Sequence, residues 1–107
     1  MGLPLDYERR VDDEPEVRWR VTADGAFLHA RGPGPLTEKR RFDASGLDEL
    51  RAAIPDLAAL APAMAPDDGA IEERWTADGH TWVGYDDEPP ALTALRAVVD
   101  RLVARSR

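Results

Sequence analysis

The chain of 107 residues contains no cysteine, so disulfides and thiolate metal sites are excluded, and nothing points to an oxidising compartment. Lysine is nearly missing too, with Lys39 the sole example against many arginines, a usage that fits a GC-rich bacterial gene. Serine is confined to Ser45 and Ser106, and histidine to His29 and His80. Ser45 reads as a helix cap and Ser106 as part of a frayed end, which leaves a Ser-His-Asp arrangement without a nucleophile. No apolar run approaches the ~20 residues of a membrane span. The opening MGLPLDYERR lacks the basic-then-apolar layout of a secretory signal. The expectation is a cytoplasmic protein with no membrane partner.

What is present suits one domain with a real core: the length is too short for two, and 43% of residues are hydrophobic. Net charge is −7, and its placement is uneven. Residues 66–90 hold eight acids against Arg74 alone, as much net negative charge as the whole protein. A face of that sign repels phosphate backbones, which argues against nucleic acid. It suits a basic protein partner, or simply keeps a small domain dissolved.

Two stretches echo each other, Arg18-Trp19-Arg20-Val21-Thr22-Ala23-Asp24-Gly25 and Arg74-Trp75-Thr76-Ala77-Asp78-Gly79. In each, β-branched and aromatic residues run into Asp-Gly and resume after it, which predicts two hairpins. Val17, Trp19 and Val21 alternate with Arg18, Arg20 and Thr22, giving one apolar and one wet face. Ile71, Glu73 and Trp75 share a face in the second hairpin, and Thr81, Val83 and Tyr85 share another. Gly32-Pro33-Gly34-Pro35 ends or bulges a strand, which residues 37–42 resume at a sheet edge. Ser45 is the expected cap of a helix carrying Leu47, Leu50 and Ile54, ended by Pro55, with a short turn over 56–61. The last segment is the clearest: Leu92, Leu95, Val99 and Leu102 form one helical stripe, with Arg96, Arg101 and Arg105 largely outside it. The predicted fold is α+β, ββα-ββα, an antiparallel sheet of about four strands with helices packed on one face. Residues 1–16 read as a tail or an extra edge strand, and 17–107 as the single domain.

Asp86-Asp87-Glu88 before Pro89-Pro90 reads as the entrance to that last helix: proline suits the first helical position, and acids suit its positive pole. A divalent cation would need more oxygen ligands at fixed loop spacing, and no paired-histidine motif exists, so no metal is expected. Gly-Pro-Gly-Pro is too poor in N–H groups to cradle a phosphate, and no cofactor is expected. Lys39-Arg40-Arg41, flanked by Glu38 and Asp43, reads as a solvated strand face, and Trp19, Trp75 and Trp82 read as core. These readings together leave little room for an enzyme.

The layout resembles the emfourin family, small bacterial inhibitors of thermolysin-like metallopeptidases. The resemblance lies in Asp24-Gly25-Ala26-Phe27, in the leucine helix over 47–54, and above all in the Asp-Gly strand pair Asp78-Gly79-His80-Thr81-Trp82-Val83 leading to Pro89-Pro90-Ala91-Leu92-Thr93-Ala94-Leu95. It covers about residues 17–105. The chain differs in the sixteen residues before Val17 and in Ala26, where paired glycines precede the aromatic in the family. The resemblance implies a stoichiometric inhibitor that occludes an active site without chemistry. Such an inhibitor needs a rigid loop, an apolar anchor and a carboxylate or carbonyl facing the zinc. Asp24, Gly25, Phe27 and Leu28 are the candidate residues; in the competing reading Phe27 is core and Asp24 only a turn residue. The alternative function is an acidic adaptor, assembly or immunity protein, binding a basic partner through Asp67, Asp68, Glu72, Asp86, Asp87 and Glu88.

Overall fold

The computed structural model describes residues 2–12, 14–60, 71–85 and 88–106. The chain runs β1 (Leu5–Val11), β2 (Glu14–Val21), β3 (Ala26–Arg31), β4 (Thr37–Arg41), α1 (Ala44–Ala53), a 3-10 turn (Leu57–Ala59), β5 (Ile71–Ala77), β6 (His80–Gly84) and α2 (Pro90–Arg105). The α+β class and the antiparallel sheet agree with expectation, but the sheet has six strands, in the order β4-β3-β2-β1-β5-β6. The extra strands are β1 and the short, wholly exposed β4.

β1 is the main correction. It pairs on one side with β2 (Tyr7 opposite Trp19) and on the other with β5 (Tyr7 opposite Trp75), so it lies inside the sheet rather than at an edge or in a tail. Its joining role follows from burial: Leu5 and Tyr7 face the core with Trp19, Val21, Phe27, Trp75 and Trp82. Leu50 of α1 and Leu92, Leu95, Val99 and Leu102 of α2 close over that face. On the other face Asp6, Glu8, Arg18, Arg20 and Arg74 meet across the strands, with Arg20 and Asp6 forming an ion pair. Where the strands alternate, as β2 does, the sheet thus separates a wet face from a dry one.

The two Asp-Gly turns differ. Asp78 and Gly79, at φ +52° and +76°, form a two-residue turn between paired Ala77 and His80, the geometry Asp-Gly favours. In the first hairpin the connection is four residues, 22–25, and only Gly25 has positive φ. α1 is capped by Asp43, not Ser45: an Asp43 carboxylate oxygen accepts the Gly46 N–H at 2.7 Å. The i→i+3 reach satisfies a free first-turn N–H that a serine two positions later, already inside the helix, cannot. Ile54 and Pro55 end the helix as predicted, and α2 begins at Pro90 behind Pro89.

Candidate functional site

The first hairpin tip is tied down from several sides. Thr22 and Ala26 bond to each other through backbone N–H and carbonyl at 3.0 Å, and the Thr22 hydroxyl accepts the Ala26 N–H at 3.0 Å. The Gly25 carbonyl accepts the Phe42 N–H at 2.8 Å, anchoring the tip to the start of α1. Arg51 of α1 reaches the Ala23 carbonyl at 3.3 Å, and Arg41 of β4 reaches that of Asp24 at 3.4 Å. Gly25 cannot be replaced cheaply: at φ +102° a Cβ would stand 2.7 Å from the Phe42 carbonyl oxygen. The Asp24 side chain is 74% exposed. Its carboxyl is held below the usual carboxylate range, first by the Thr22 hydroxyl and then by Arg41.

Phe27 does not join that exposed group. It is buried, paired across strands with Val21 and stacked with Phe42 at 5.9 Å between ring centroids. The candidate anchor is thereby corrected: a side chain wedged between Trp19 and Phe42 cannot fill a partner's pocket while the domain is folded. Of the apolar candidates, Leu28 alone keeps exposed surface, on the opposite sheet face beside Arg20. The register decides this: Thr22 stands opposite Ala26, which sets Phe27 opposite Val21 on the core face.

In the alternative acidic face, Asp67, Asp68, Asp86 and Asp87 lie outside the described residues. Glu72 is paired with Arg74, and Glu88 with Arg96, so both described members are engaged within the chain. Arg96 was expected largely outside the buried stripe. It turns instead toward the sheet, donating to Glu88 at 2.7 Å and Glu73 at 3.0 Å, and Tyr7 donates its hydroxyl proton to the same Glu73 oxygen at 2.9 Å. The guanidinium carbon lies 4.9 Å from the Tyr7 ring centroid and 5.4 Å from that of Trp75. Burial works against the Arg96 charge, but the bonds to Glu88 and Tyr7 and the charge of Glu73 outweigh it and raise its pKa.

Burial likewise pushes the Tyr7 hydroxyl up to about 12, against the lowering pull of Arg96. A tyrosine raised in the fold contributes stability that is complete below its unfolded pKa near 10 and is lost as pH climbs toward about 12. Stability followed by chemical denaturation should therefore fall over that window, by up to roughly 2–3 kcal/mol. Tyr7→Phe should flatten the fall, and an unchanged slope in that variant would exclude Tyr7 as its source.

Among the described residues no group of three histidine, aspartate or glutamate side chains is placed to hold a metal ion, and no helix is long and apolar enough to cross a membrane. No protein-family model matches the chain, and no curated protein matches it.

Proposed function

We propose that the protein is a small non-enzymatic protein-binding module, a stoichiometric inhibitor that occludes the active site of a thermolysin-like metallopeptidase. The observation that carries this reading is the braced tip over residues 22–25, which holds an exposed, ionised Asp24 on a rigid turn. A carboxylate fixed before binding loses little freedom on docking, which is how a short loop gains affinity. Its charge is also of the sign a peptidase zinc attracts. In this reading Leu28 replaces Phe27 as the apolar contact.

The test is titration of the purified protein into thermolysin-like peptidases, preferably one encoded beside its gene, following cleavage of a short peptide. Activity should fall stoichiometrically in the wild type, and Asp24→Ala should weaken inhibition by about tenfold or more without changing the melt. Full peptidase activity at micromolar excess of folded protein would end the inhibitor reading. Inhibition that collapses with added salt would move the contact from the tip to the 66–90 segment. Phe27→Ala is no test of contact, because a core phenylalanine truncated to alanine costs about 3–5 kcal/mol of stability by itself.

A further inference from the structure

Among the described residues, arginines across the fold are committed to acceptors. Arg9 pairs with Glu16, Arg20 with Asp6, Arg74 with Glu72, and both Arg101 and Arg105 with Glu49. On β3 and β4, Arg41 follows this pattern by pairing with Glu38 and Asp24, but its neighbours do not. Arg31 and Lys39 have no anionic partner among the described residues, and Arg40 bonds only the carbonyl of its neighbour Lys39, at 2.8 Å. In a protein of net charge −7 this leaves a small uncompensated basic corner.

The corner has shape as well as charge. His29, Arg31, Gly34, Thr37 and Lys39 line an open concavity of about 390 Å³. Its loop wall is fixed from behind by Arg18, which donates to the carbonyls of Gly32, at 3.1 Å, and Gly34. Burial, then Arg31 and Lys39, keep the His29 imidazole below its ordinary range, so both cations are near enough to be felt there. An arriving carboxylate relieves that crowding.

The concavity adjoins a sheet edge that is free among the described residues. There β4 pairs with β3 alone, and all five of its residues are exposed. Its outer side therefore presents backbone N–H and carbonyl groups open to another strand. Lys39 and Arg40 repel a second β4 of the same charge, whereas an acidic strand satisfies both the backbone and the cations. We infer that the β4 edge and the concavity beside it bind an extended acidic peptide segment of a protein partner, added as a further strand with its carboxylates on Arg31 and Lys39. The inference does not rest on the inhibitor reading, although Arg41 at the end of β4 also braces the hairpin tip.

The probe is a short capped peptide alternating glutamate and valine, compared with its glutamine counterpart and with inorganic phosphate, followed by amide shifts of the full chain. The glutamate peptide should bind saturably, with shifts confined to β3, β4 and the loop between them. Its affinity should fall at least about fivefold as salt is raised from low to physiological strength. Arg31→Gln with Lys39→Gln should weaken it about tenfold, with an unchanged melt because both side chains are free of ion pairs among the described residues. Equal binding of the glutamine peptide, shifts centred on β6 or the hairpin tip, no saturable binding, or unchanged binding by the double variant would each overturn the inference. Phosphate displacing the peptide at similar concentration, without moving the β4 edge amides, would overturn strand addition.

Discussion

Deletion of residues 1–12 is expected to abolish cooperative folding. Those residues supply β1, the strand that joins β4-β3-β2 to β5-β6, and without it the sheet becomes two separate pieces. Leu5 and Tyr7 would leave the middle of the core, and Trp19 and Trp75 would each lose the neighbour between them. Two apolar side chains and two strand ladders together exceed the roughly 5–15 kcal/mol by which a domain is stable. The truncated chain should show no sigmoidal thermal transition and lose its near-ultraviolet dichroism. A truncated protein that melts cooperatively with native aromatic signals would mean that β2 and β5 pair directly and that β1 is dispensable.

Arg96→Ala is expected to have the next largest effect, a loss of about 2–4 kcal/mol in chemical denaturation, toward the lower end because the side chain keeps some solvent. Glu73 and Glu88, both only 17% exposed at the side chain, would be left without their cation, and the rings of Tyr7 and Trp75 without the guanidinium above them. Arg96→Met separates packing from charge. Methionine fills similar space, so stability restored by it would assign the loss to packing. The ion network predicts instead that Arg96→Met stays destabilised and that adding Glu73→Gln recovers part of the loss, since one uncompensated carboxylate is then removed.

The two predictions meet at Tyr7, which belongs to β1 and lies under the Arg96 guanidinium, and the two features share a cause. β1 was hard to read because its alternation fails halfway: Leu5 and Tyr7 are core residues, yet Arg9 follows on the same face. Arg9 lies opposite Glu73 and is paired with Glu16. A run of seven residues with two inward apolar groups resembles an edge or a tail until its neighbours are known. Arg96 was placed outside the stripe for a similar reason. Its helical position flanks the leucines, and only the arrival of Glu73 and Tyr7 from the sheet turns it inward.

The candidate site was legible in part. Asp-Gly marked both turns, and Asp24 is exposed at the first. Phe27 stands two residues beyond that turn and so looks available in the sequence, but Trp19 and Phe42 pack against it. Arg31 and Lys39 were visible as residues, whereas their lack of an anionic partner among the described residues was not, since pairing depends on which strands become neighbours.

The sequence alone determined the two hairpins, the helix ending at Pro55, the proline start and buried stripe of α2, and the burial of Trp19, Trp75 and Trp82. Each is set within a few residues, by periodicity, turn chemistry and the limits proline places on the backbone. Tertiary structure decided that β1 lies between β2 and β5, that Phe27 belongs to the core, that Arg96 joins Glu73 and Glu88, and that Arg31 and Lys39 stand unpaired among the described residues. Strand order and charge partners are fixed by contacts between segments far apart in the chain, where burial and Coulomb energy act on whichever surfaces the fold brings together.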